Sequence, residues 1–110
     1  MCEPFCISDL ANGWEGLPFE PFREGVEIHH IFKGEPAVAL LRYSPGARIP
    51  LHEHTGLETI YVLEGSQSDE RGCYGQGALV VNPEGSKHSV WSEEGCTVLI
   101  QWARPVRILE

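Results

Sequence analysis

Four residues in the middle of the chain have types and spacings that could hold a metal ion: His52, His54, Glu58 and His88. His52 and His54 are separated by one residue, and alternate positions of a β-strand point to the same face, so both imidazoles can reach one point. Glu58 follows Thr55-Gly56-Leu57, where Gly56 lets the chain bend, and it shares a strand face with Ile60 and Val62. A carboxylate facing such an apolar interior is costly unless it is paired or coordinates a metal. His88 comes later, beyond a turn at Pro83-Glu84-Gly85, where a neighbouring strand would cross beside the first. Three imidazoles and one carboxylate suit one divalent transition metal (Zn, Fe, Mn, Ni or Cu) and disfavour Ca and Mg, which take all-oxygen shells. Such an ion keeps the histidines neutral and Glu58 ionised, so affinity should fall as the pH drops.

Strands must position these groups. From residue 26 onward the chain reads as short apolar runs at 26–33, 37–43, 58–63, 78–81, 88–91 and 97–102, with Gly- or Pro-containing turns between them. Turns are expected at 34–36, 44–46, 64–65, 68–72, 82–85 and 93–95. This spacing predicts an all-β sandwich or barrel. Both alternating sets of residues 59–63 are mostly apolar, so one face can fill a barrel while the other must be covered by another segment, a second sheet or a second copy of the chain. A homodimer is therefore expected. Residues 1–25 carry Pro4, Pro18 and Pro21 interleaved with Phe5, Trp14, Phe19 and Phe22. They cannot form a long helix and are read as an extended arm packed on a single domain of residues 26–110.

Gly46, His52, His54, Glu58 and Gly65 stand at the spacing Gly, five residues, His-x-His, three residues, Glu, six residues, Gly. Gly77, Pro83, Gly85 and His88 stand at the spacing Gly, five residues, Pro-x-Gly, two residues, His. Together they resemble the two signatures of the cupin superfamily; the one departure is Ser92, where the second signature has Asn. The wording of 63–70 and 88–96 resembles one branch, the cupin-like domain at the C-terminus of ChrR-type anti-sigma factors and its stand-alone relatives, and that similarity extends over residues 25–102. The resemblance implies a double-stranded β-helix (an RmlC-like jelly roll), one metal held by His52, His54, Glu58 and His88, and commonly a dimer. It does not imply one reaction, because cupins include dioxygenases, isomerases, sensors and storage proteins.

Two functions follow as expectations. One is a metal-dependent oxygenase for a small, largely apolar substrate, with Glu58 as a ligand or a base. The other is a non-enzymatic sensor or regulatory module. The zinc domain with Cys-x-x-Cys that anti-sigma relatives carry is not in these 110 residues, which favours a stand-alone cupin. A net charge of -8, from 16 acidic against 8 basic residues, sets nucleic acid and anionic membranes aside as partners. No run approaches the ~20 apolar residues of a membrane span, and the N-terminus has no signal-peptide pattern, so a cytoplasmic location is expected. Cys2, Cys6, Cys73 and Cys96 are then ordinary reduced thiols. His29 and His30, being adjacent on a strand, face opposite sides and read as structural or solvent-facing. Tyr43, Tyr61 and Gln101 are candidates to line the pocket, without a catalytic assignment. Ser68-Asp69-Glu70 reads as a solvated hairpin tip.

Overall fold

The fold is taken from a computed structural model that describes residues 3–109. One helical turn, α1 (Leu10–Gly13), and a 3-10 turn at Trp14–Gly16 precede ten strands among the described residues. These are β1 (Glu20–Arg23), β2 (Val26–Phe32), β3 (Ala37–Tyr43), β4 (Arg48–Glu53), β5 (Glu58–Asp69), β6 (Gly72–Gly75), β7 (Leu79–Asn82), β8 (Lys87–Trp91), β9 (Cys96–Trp102) and β10 (Arg107–Ile108). They form a curled antiparallel sheet in the order β1-β2-β3-β9-β5-β8-β4-β10, with β6 and β7 also paired to β5. This is an all-β barrel, as the spacing of strands and turns predicts, in the jelly-roll form that the cupin resemblance implies.

Alternation along the strands decides what is inside. Ile60 and Val62 on β5, Val98 and Ile100 on β9, and Ala39 and Leu41 on β3 point inward and are buried in one core. The opposite face of β3 and β5 is apolar too, and it meets two fates. Leu40 and Leu63 are covered by Trp14, around which Leu10, Leu17 and Phe19 pack. Phe19 meets Trp14 edge-on, and the Arg42 guanidinium lies 4.2 Å above the Phe19 ring. Tyr61, by contrast, stays exposed beside its register partner Leu79 and near Val81.

The N-terminal segment is therefore not extended throughout. It makes α1 and the 3-10 turn, which places Trp14 on the sheet, and its last residues, β1, pair with β2. Cys2 lies outside the described residues; Cys6 and Cys73 are exposed, and Cys96 is buried, which pushes its thiol up to about 11. Among the described residues no helix is long and apolar enough to cross a membrane.

The turn expected at 64–65 does not exist. Glu64 and Gly65 lie within β5, which continues to Asp69, and the register against β9 shifts between Val62 and Glu64. Gly65 has φ 76°, and a Cβ there would stand 2.1 Å from the Gly95 carbonyl oxygen. The glycine makes a bulge that bends the strand, with no reversal of the chain. Gly46 has a similar φ of 84° but nothing within 4 Å of a built Cβ. Gly46→Ala should cost only the left-handed backbone strain, ~1 kcal/mol. Gly65→Ala should cost more than ~4 kcal/mol, because strand contact must break as well. Urea unfolding of the two variants checks this: equal midpoints would show that the close approach at Gly65 does not constrain the strand.

Candidate metal centre

His52 lies on β4 and His88 on β8, as direct register partners. His54 lies just beyond β4, but the ladder is carried on by its backbone: His54 N–H donates to the Ser86 carbonyl, and Gly85 N–H donates to the His54 carbonyl. All three rings are buried, with centroids 4.6–5.1 Å apart. One ligand nitrogen from each lies within 4.8 Å of the others, which makes His52, His54 and His88 a group that could hold a metal ion. Glu58 stands outside that three-way cluster, at the start of β5 and also buried. Its Oε1 lies 3.1 Å from His54 Nε2 and accepts a hydrogen bond from Asn82 Nδ2 at 3.0 Å.

Each imidazole is oriented through its Nδ1. That of His52 lies 2.8 Å from the Pro50 carbonyl, and that of His54 lies 3.0 Å from the Ser86 carbonyl and 2.9 Å from Ser86 Oγ. That of His88 lies 3.0 Å from Asp69 Oδ2. With Nδ1–H donating, each Nε2 lone pair is left to face inward. The Nε2 atoms of His54 and His88 are buried and have no hydrogen-bond partner among the described residues. An unsatisfied buried acceptor costs ~1–3 kcal/mol. Two of them beside a third imidazole and a carboxylate fit a transition metal, whose ligating histidines ordinarily give their other nitrogen to a carbonyl or carboxylate. Burial pushes His52 below the usual imidazole range, toward the neutral form a metal needs.

Asp69 corrects the reading of 68–70 as a solvated tip. Ser68 and Asp69 are buried at the end of β5, and only Glu70 is exposed. Burial alone would raise the Asp69 pKa, but hydrogen bonds from His88, the Arg71 backbone and the Tyr74 hydroxyl outweigh it and hold the carboxyl below its usual range. Glu70 accepts from the Ser89 backbone and hydroxyl, which ties the turn to the strand that bears His88. The acidic composition concealed this role, because the partner is 19 residues away and only the β5 to β8 register brings it close. Asn82 was missed for a similar reason: as part of an Asn-Pro turn it reads as punctuation, yet it pairs with Glu58 across β5 and β7.

A cavity of about 360 Å³ adjoins the imidazoles. His52, Glu58 and His88 line it, together with Tyr43, Gln67 and a wall of Leu41, Ile49, Ile60, Val90 and Ile100. Tyr61 and Gln101 do not line it; both are exposed, on the outer face. His29 bonds the Pro18 carbonyl and His30 lies 3.6 Å from Glu20, both away from the centre. Ser92 is fully buried and donates to the Ser66 carbonyl, a strand-to-strand contact outside the imidazole cluster.

With this geometry in place, the likeness to known proteins becomes specific. The family described as the ChrR cupin-like domain matches residues 9–104. The chain belongs to that family. A relative, the anti-sigma-E factor ChrR of Cereibacter sphaeroides, is 34% identical over 77 residues, 67% of this chain. The chain spans about a third of that relative, 36% of its length. The structure of Rhodobacter sphaeroides SigE in complex with the anti-sigma ChrR matches 80% of the chain and 49% of the other, at 27% identity and TM-score 0.72. An acetylacetone dioxygenase from Acinetobacter johnsonii shares the fold over the whole chain and 79% of its own, at 14% identity and TM-score 0.80.

If Asp69 fixes the His88 ring, Asp69→Asn should weaken Zn binding about 10–100-fold in competition with a chromogenic chelator. The exposed Arg71 side chain gives a control: Arg71→Ala should stay within about twofold. Equal affinity of Asp69→Asn and the native protein would remove Asp69 from this role.

Proposed function

We propose that this ChrR-like cupin binds one divalent transition metal (Zn, Fe, Mn or Ni) through His52, His54, His88 and Glu58, and acts as an oxygenase on a small, largely apolar molecule in the adjoining cavity. The observation that carries the reading is buried imidazole nitrogen without a hydrogen-bond partner, at His54 and His88, beside a cavity that is hydrocarbon over most of its wall. Four protein ligands leave one or two positions on a five- or six-coordinate ion. The metal would supply Lewis-acid polarisation of a substrate oxygen and, as Fe(II), reactivity toward O2. Glu58 lines the cavity and can serve as a fourth ligand or take a proton from the substrate. Asn82 orients the carboxylate for either role. A volume of about 360 Å³, at the low end for ligand sites, suits a compact molecule.

Family membership supports a second reading, a sensor in which the same cavity receives a ligand or oxidant and the domain acts through a protein partner. The readings separate by experiment. Protein purified without a His-tag should contain about one transition metal per chain by elemental analysis, and His52→Ala with His88→Ala should abolish it. A metal-free protein indifferent to those changes would sink the site. Anaerobic reconstitution with Fe(II), followed by an O2-uptake screen over small phenols and diketones, should give turnover; none with any metal favours the sensor.

The exposed row of Tyr61, Leu79 and Val81 on one outer face supports a homodimer through β5 and β7. Light scattering should give twice the chain mass, falling to one chain in Leu79→Lys with Val81→Lys. A native protein of single-chain mass refutes the dimer.

A further inference from the structure

We infer that the cavity takes an amphipathic anion, an apolar body whose carboxylate is held at the cavity by Arg23 and Arg104. At its inner end the ligand presents a neutral oxygen to the imidazoles, which rests on the function proposed above; the arginine end does not.

In a chain with twice as many acidic as basic residues, arginines should find carboxylates easily, and three of the six do. Arg42 pairs with Glu27, Arg71 approaches Asp69, and Arg107 pairs with Glu53. Arg48 also has a partner. The side chains of Arg23 and Arg104 have no hydrogen-bond or ion-pair partner among the described residues, and both residues line the cavity that His52, Glu58 and His88 also line. They reach it from separate parts of the chain, Arg23 at the end of β1 and Arg104 in the segment between β9 and β10. Arg23 and Arg104 are both exposed and line one cavity, where they raise the local positive potential above that of a strongly acidic surface. Their planar forks match a carboxylate in a way a lysine would not.

The rest of the lining sets the body of the ligand. Phe22, next to Arg23, lies with its ring centroid 6.5 Å from that of Trp102, inclined by 35°, and both rings line the cavity. Beyond them the wall is aliphatic, with Leu41, Ile49, Ile60, Val90 and Ile100. Polarity returns with His88, whose buried Nε2 has no partner, and with Gln67, whose amide donates to the buried Tyr43 hydroxyl at 3.3 Å. Cationic groups, hydrocarbon and imidazoles thus border one space. A neutral hydrocarbon would leave the arginines unpaired, and a small polar anion would leave the apolar wall wet.

Calorimetric titration with 3-phenylpropanoate and its neutral amide tests this, on zinc-loaded protein and on protein stripped with EDTA. The carboxylate should bind at least about tenfold tighter than the amide in both forms, with the gap shrinking as salt is raised. Arg23→Met with Arg104→Met should abolish the gap by lowering carboxylate affinity, with far-UV circular dichroism and thermal unfolding like those of the native protein, which reports that the variant is folded. Equal binding of acid and amide, binding of neither, or a preference that survives in the double variant overturns the inference. A preference confined to the zinc-loaded form also overturns it, because the carboxylate would then sit on the metal. Absence of metal from the purified protein counts against the proposed function alone, since the stripped form reads the arginines without it.

Discussion

The bulge at Gly65 is the constraint on which the rest depends. Only a residue without a side chain lets the Gly95 carbonyl come so near the backbone, and that approach allows β5 to bend while remaining a strand. Because it bends, one strand of 12 residues pairs with β7 and β9 along its first half and with β6 and β8 along its second. The two carboxylates of the centre therefore come from the two ends of the same element. Glu58, at its start, meets His54, and Asp69, at its end, meets His88. A true reversal at 64–65 would have paired residues 66–69 with 60–63 and taken Asp69 out of the β8 register that brings it to His88.

Electrostatics then limits what the interior can hold. Three imidazoles lie within 4.8 Å of one another in a buried space, where any added charge loses hydration and repels its neighbours. Burial already depresses His52, with the neighbouring histidines pushing the same way. Each ring has two nitrogens to satisfy, and the backbone carbonyls of Pro50 and Ser86 together with the Asp69 carboxylate take the Nδ1 protons. What is left is a set of inward acceptors with no donor to meet them, and a cation is the group that meets all of them at once.

Much of this was legible in the sequence. His-x-His on a strand, an apolar-flanked Glu and a later His after a Pro-x-Gly turn are local patterns whose geometry follows from the two-residue period of β-structure. The strand at 37–43 was read to the residue, because seven mostly apolar positions lie between clear turn signals. What sequence did not disclose are features fixed by register between distant strands. Asp69 and Asn82 carry turn-forming side chains, and only pairing across the sheet gives them partners at the centre. Glu64-Gly65 has the composition of a turn, and a positive-φ glycine serves a bulge as well as a reversal. β6 and β10, at four and two residues, are too short for periodicity to register. The helical turn before Trp14 was hidden for another reason: the prolines exclude a long helix, and one turn escapes that exclusion.

The same architecture explains how one cavity can serve chemistry or sensing. The imidazoles and Glu58 are held by buried strands and hydrogen bonds, so they change little as a ligand arrives. The cavity is also lined by Phe22 and Arg23 from β1, by Gly34 from the β2 to β3 connection, and by residues 104–106 and 108 near β10. Among the described residues β1 pairs with β2 alone and β10 with β4 alone, so these pieces have fewer strand contacts than β5 or β9. A molecule that fills the cavity must therefore touch both a rigid polar floor and weakly held margins, and its binding free energy is shared between them. If the floor carries a reactive metal, that contact orients a substrate. If it does not react, the same contact stabilises the margins, which is how a ligand can alter the surface that another protein meets.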